Sequence, residues 1–309
     1  MATRRGFFQA LATTSIGAGF AFRPAAAEAA ATDTGGIRQF SPSAGFEASL
    51  QQALDAMDAV GGEIHLAPGA YRLTKPLVLS RDKAAKQVAE RLPIIRITGY
   101  GATFDRTIEV SGRAFHVAGL RVVGADGPGF RFTRSQQSHF SDLQAIDCKQ
   151  SGFLLGGAAG AQVAFGLWVN CLALGSAGNG FELVADDEKA WVNANTFLNC
   201  ISRANGGAGV MTRSATNRVN YNHFFALQVE GNAGLSVDFS NGARDNDLHG
   251  GHFVDRDKRG IAVDLGGGHN QMFGGRSVGL VNGGSAVITQ SPAYGGKGMV
   301  VRMPAPDAR

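Results

Sequence analysis

This 309-residue sequence has little charge: only 17% of it is Asp, Glu, Lys or Arg, and the formal net charge is +4. Residues 1–29, with Arg4, Arg5 and Arg23 against Glu28, supply +2 of that total. So even a balance excludes the basic footprint of a nucleic-acid binder and a polybasic membrane patch. There are three cysteines, an odd number with no close pair, which argues against a disulfide-stapled scaffold. No apolar run is long and uninterrupted enough to span a membrane. The sequence also lacks a phosphate-binding loop, a dinucleotide fingerprint with its acidic partner, and a Ser-His-Asp order. What it has in plenty is glycine, 44 residues, in a chain that is 44% apolar. Disordered chains lack that apolar fraction.

The glycines recur. A small residue followed by alternating apolar positions returns about every 25 residues, as GFRF from Gly129, GFLL from Gly152, GFELV from Gly180, GVMT from Gly209, GLSVDF from Gly234 and GIAVDL from Gly260. In phase with it runs an amide with a large apolar residue two places on: Asn195 and Phe197, Asn222 and Phe224, Asn246 and Leu248, Asn270 and Met272, with Ser138 and Phe140 as a weaker copy. A fixed period marks a solenoid whose repeats cannot bury their apolar faces alone. Period-two alternation makes the units strands. The fold expected is all-β, a right-handed parallel β-helix, with the four asparagines as a ladder bonded along the stack.

The chain divides accordingly. Residues 1–29 read as a twin-arginine export signal: Thr3, Arg4, Arg5, Gly6, Phe7 and Phe8 precede a mildly apolar run and small residues suited to signal peptidase. Residues 30–45 form a polar leader. From 46 to 60 the apolar residues Phe46, Leu50, Ala53, Leu54, Met57 and Val60 keep helical spacing, as expected of a helix capping the open end of a solenoid core. The β-helix domain then runs to 291, interrupted by a charged helical insertion at 81–92, and a tail occupies 292–309. The block LQQALDAMDAVGGEIHLAPGAYRL, residues 50–73, resembles the N-terminal signature of the pectate-lyase-like superfamily, in which a capping helix leads through Gly-Gly into a strand and then Pro-x-Gly-x-Tyr. That resemblance implies the same right-handed β-helix and a place among polysaccharide lyases, polygalacturonase-like hydrolases, uronate epimerases, tailspikes and proteins without assigned activity.

Cys148, Cys171 and Cys200 each follow a similar string, Ile146-Asp147, Val169-Asn170 and Leu198-Asn199. They are expected at one position in three successive coils, about 4.8 Å apart, as a buried thiol ladder. In the glycine-led strands the positions two and four after glycine face out. The fourth reads Arg213, Asp238 and Asp264 in consecutive coils, which predicts two carboxylates one strand apart with Arg213 beneath Asp238. Carboxylates that close repel, so one can act as an acid while the other stays ionised. The alternatives are a solvated ladder end neutralised by Arg213, or a Ca2+ site. A second outward row carries Arg203, Gln228, Glu230, His252 and Arg276, with Lys258 and Arg259 before Gly260. Its mixture of cation, amide, acid and imidazole suits a sugar polymer and equally a solvated surface.

The motifs of the related hydrolases do not carry over. Where polygalacturonase-like enzymes place paired aspartates before a Gly-Ile-x-Ile strand, this chain has Lys258 and Arg259, and the epimerase Asp-Pro-His is absent. A lyase needs less: a base such as His252, Lys258 or Arg259, and arginine or Ca2+ to neutralise a substrate carboxylate. His249 and His252 alone make a weak metal pair, lacking a third ligand at usual spacing. Two readings follow. One is an exported carbohydrate-active enzyme, a lyase or relative acting on an acidic more readily than a neutral polysaccharide. The other is a non-catalytic glycan- or envelope-binding repeat protein. Replacing Arg4 and Arg5 by Lys is expected to hold the protein in the cytoplasm, whereas the unaltered chain is exported and begins between about Glu28 and Thr32 by intact mass. Unchanged export of the variant refutes the twin-arginine route.

Overall fold

A computed structural model describes residues 32–34, 37–81, 93–254, 261–278, 280–283 and 285–287. The signal, most of the 81–92 insertion, Lys258, Arg259 and the tail lie outside the described residues. The fold is the right-handed parallel β-helix read from the repeats, with about eight turns. Each coil feeds three sheets of 12, nine and 13 strands, called here sheets 1, 2 and 3 in the order the chain of a coil visits them. One helix is described, Phe46–Met57, and no described helix is long and apolar enough to cross a membrane.

Three corners close each coil, and all three use one device. A residue in the left-handed region turns the chain, and the next residue plugs into the core. Between sheets 3 and 1 the turning residues are Ala114, Gln137, Phe165, Ala194, Tyr221, Asp245 and His269, with φ between 50 and 58°. Between sheets 1 and 2 they are Asp142, Asn170, Asn199 and Ala226, and between sheets 2 and 3 Asp147 and Ala204 alternate with glycines. A non-glycine residue there costs about 1 kcal/mol, and the packing of its successor offsets it.

The successors at the corner from sheet 3 to sheet 1 form the expected ladder. Asn195, Asn222, Asn246 and Asn270 are all 0% exposed. Each Nδ2 donates to the next Oδ1 at 2.9 Å, and each Oδ1 also accepts the backbone N–H one coil earlier. Two places on, Phe140, Trp168, Phe197 and Phe224 stack at 4.6 to 5.1 Å beneath sheet 1. A second ladder was not read from sequence: at the corner from sheet 2 to sheet 3, Asn205 Nδ2 donates to Asn232 Oδ1 at 2.8 Å.

The cysteines divide between corners. Cys171 and Cys200 are neighbours after sheet 1, where the N–H of Ile201 donates to the Cys171 carbonyl, but Cys148 sits after sheet 2, above Ser176. The expected ladder of three is therefore a pair and a single. The shared Asp/Asn-Cys string reflects the device common to all corners. All three thiols are free and buried, and burial raises the Cys171 thiol well above its ordinary range.

The recurring glycines have a steric cause. A Cβ on Gly129, Gly152 or Gly180 would meet the carbonyl oxygen of the next coil's glycine at 2.6 to 2.9 Å. The equivalent of Gly209 is Ser236, not Gly234: Val210 pairs with Val237, and Gly234 donates to the Gly207 carbonyl. The motif from Gly234 onward thus lies two residues out of register with earlier copies, and Leu235, expected inside, is half-buried.

At the N-terminal end the helix buries Phe46, Leu50, Ala53, Leu54 and Met57, while Val60 is 75% exposed. The helix stops at Met57, whose carbonyl accepts the Gly61 N–H at 2.7 Å. The leader contributes Ile37–Phe40, a strand parallel to Gly62–Leu66. Arg81, 1% exposed, pins helix to coil: Nε donates to Asp58 Oδ1 at 3.0 Å and Nη2 to the Asp58 carbonyl at 2.6 Å. Breaking the asparagine ladder at its centre tests these energetics. Asn222→Ala removes four hydrogen bonds and leaves buried partners unpaired, an expected loss of about 3 kcal/mol in chemical denaturation. Asn199→Gly, on the exposed side of a corner, should stay within about 1 kcal/mol.

Candidate functional site

The residues singled out from the sequence fall on different faces. Asp238 and Asp264 are paired across adjacent strands of sheet 3, as expected. The residue beneath Asp238 is Met211; Arg213 aligns with Val184 and reaches Asp186 at 2.9 Å. The cause is the two-residue register slip. Each aspartate caps the turn after its own strand. Asp238 Oδ1 accepts from the Ser240 N–H at 3.0 Å and hydroxyl at 2.6 Å. Asp264 Oδ1 accepts from the Gly266 N–H at 2.9 Å, and Oδ2 from Asn282 Nδ2 at 3.3 Å. Among the described residues no third acid or imidazole joins the pair within ligand reach. Ser240 also lines a cleft of about 370 Å³ with Asn217, Arg244 and His269.

The second row is on sheet 2. Gln228, His252 and Arg276 follow one another in a single outward column. Arg203 and Glu230 are neighbours in the next column, 3.8 Å apart and both exposed. His252 therefore shares a face with Arg276 and not with the aspartates.

The densest grouping of chemistry is on sheet 1, and sequence reasoning missed most of it. In strands His223–Phe225, Asp247–His249 and Gln271–Phe273 the central Phe224, Leu248 and Met272 point into the core. Strict alternation then turns the flanking residues out. One column reads His223, Asp247, Gln271 and the other Phe225, His249, Phe273. The second column is a near-parallel stack, with ring centroids 4.5 Å apart at 12° for Phe225 and His249 and 5.0 Å at 14° for His249 and Phe273. Both phenylalanines are 36% exposed. His223 Nδ1 lies 3.1 Å from Asp247 Oδ2, and His249 Nε2 3.9 Å from the same oxygen.

The corner from sheet 1 to sheet 2 changes character beside this cluster. In earlier coils it carries a polar column: Tyr100 hydroxyl donates to Asp142, Asn170 to Asp142, and Asn199 to Asn170 at 2.8 Å. In the later coils the turning residues are Ala226, Gly250 and Gly274, all at positive φ. A side chain on Gly250 would meet nothing within 4 Å. Only glycine backbone and the Ala226 methyl thus separate the aromatic stack of sheet 1 from the Gln228, His252 and Arg276 column of sheet 2.

No protein-family model matches the sequence, and no curated protein does. Solved structures do. The chain is similar to pectate lyase Pel9A, with a TM-score of 0.54 and 12% identity over 78% of this chain and 72% of that one. It is similar to ORF18 of Geobacillus virus E2, at 0.52 and 13%, over 78% and 56%. A third is the Agl-KA catalytic domain, at 0.52 and 12%, over 84% and 58%; the chain spans a little over half the length of these last two. At such identities the likeness shows the fold: a β-solenoid of the pectate-lyase kind. Because Asp264 serves its own turn, Asp264→Asn should cost less than about 1 kcal/mol in chemical denaturation. A loss several times larger would show that the carboxylate charge does more than cap that turn.

Proposed function

We propose that the protein is an exported carbohydrate-active β-helix that lays a polysaccharide across the corner between sheets 1 and 2, and that acts on it as a lyase. One observation carries this reading: the outward-facing Phe225, His249 and Phe273 stack meets the His252 and Arg276 column across a corner of alanine and glycine. Because the rings cover one another's faces, they turn their edges outward as an apolar ridge against which the apolar faces of sugar rings can rest, and rigid rings lose little entropy in doing so. Rings one coil apart give a platform along which successive sugars lie.

The sheet 2 column supplies polarity. Arg276, exposed at the end of the column, offers a planar two-pronged donor to a substrate carboxylate, which favours an acidic polymer. His252, one coil before it, is the base. In β-elimination it takes the proton next to the carboxylate, the electron pair forms a ring double bond, and the glycosidic bond breaks with protonation of the departing oxygen. Gln228 extends the column for hydrogen bonds to hydroxyls. A second reading, binding without turnover, is favoured by one observation: the two aspartates are engaged with their own turns.

Incubation with acidic polysaccharides is expected to produce new double-bond absorbance that His252→Ala abolishes while binding persists. Phe273→Ala should weaken binding about tenfold, matching roughly 1.4 kcal/mol for a lost apolar contact. Binding with no product supports the second reading. No affinity for acidic or neutral glycans overturns both.

A further inference from the structure

We infer that His223, Asp247 and His249 form a binding site for a divalent transition-metal cation of the zinc class. The three ligand atoms lie within 4.8 Å of one another, and they converge from two adjacent strands of sheet 1. A tetrahedral zinc with bonds of about 2.0–2.2 Å sets its ligands roughly 3.3 Å apart. His223 Nδ1 and Asp247 Oδ2 already stand at 3.1 Å, and His249 Nε2 closes from 3.9 Å by a small side-chain movement.

The stack strengthens this assignment. The faces of the His249 ring are covered by Phe225 and Phe273. Imidazole binds metal through a lone pair in the ring plane, so face-stacking fixes the ring while leaving its nitrogen-bearing edge free. Two imidazoles and one carboxylate suit zinc and its neighbours in the first transition row and do not suit calcium or magnesium, which take oxygen. Side-chain exposures of 38, 23 and 33% leave the outward side open. A fourth position there is free for water or a ligand oxygen, as in sites with three protein ligands. His249, which the sequence paired with His252, is thus completed by His223 and Asp247.

The site stands whether or not a glycan lies on the sheet, and the two are measured separately. Untagged protein, stripped with chelator and dialysed, is titrated with zinc chloride by calorimetry, with far-UV circular dichroism confirming that each variant is folded. One zinc per chain is expected. Asp247→Asn and His249→Gln should each bind at least about tenfold more weakly, and His65→Gln, an exposed histidine elsewhere on sheet 1, should bind like the unaltered chain. Cobalt in place of zinc should give the visible bands of a low-symmetry four-coordinate ion, lost in Asp247→Asn. Absence of stoichiometric zinc binding overturns the site, as does equal weakening by His65→Gln. Glycan affinity of the stripped protein reports on the platform alone.

Discussion

A left-handed residue followed by a buried one is the unit on which this structure depends. It turns the chain at all three corners, and it works only if the buried residue finds its counterpart one coil above and below. At the corner into sheet 1 that counterpart is an amide from Asn195 to Asn270, with the Oδ1 of Asn222, Asn246 and Asn270 each accepting two hydrogen bonds and every Nδ2 reaching a backbone carbonyl. An unsatisfied amide buried here costs more than a satisfied one contributes. The ladder therefore fixes registry more than it adds stability. Sheet 1 begins one residue later and inherits that registry, so its outward columns are straight.

Straight columns make the stack of Phe225, His249 and Phe273 available. Rungs about 4.8 Å apart match the separation at which aromatic faces stack, and the side chains need only stand upright. The change at the neighbouring corner, from Asp142, Asn170 and Asn199 to Ala226 and glycine, happens in the same coils. Polar cross-links on the outer surface stop where the platform begins. The core under those coils stays fully packed: Phe224, Leu248, Phe253 and Met272 are each 1% exposed or less. What varies along the solenoid is its outer surface.

The fold was legible because its two strongest signals are local. The amide with an apolar residue two places on reports a buried corner and the strand after it, and it recurs at 24 residues between Asn222, Asn246 and Asn270. The site was less legible because it exists only between coils. Aligning copies on glycine set Gly209 against Gly234 and put Arg213 beneath Asp238. Aligning on Asn205 and Asn232 gives the true register, with Ser236 in the glycine position. The same logic would have found sheet 1: a constant 24-residue step from His223 reaches Asp247 and Gln271, and from Phe225 reaches His249 and Phe273. Cys148 misled for a related reason, since all corners share one local string and differ only in what they stack upon.

The central claim is that ligand lies on the outer face of sheet 1 in these coils. Hydroxyl-radical footprinting with and without an acidic oligosaccharide tests it directly, because aromatic and imidazole side chains are both reactive and here exposed. Protection of Phe225, His249 and Phe273, with Tyr100, Phe165 and Trp191 unchanged, is the result this account predicts. Unchanged reactivity of the stack while residues of sheet 3 near Asp238 become protected would contradict it.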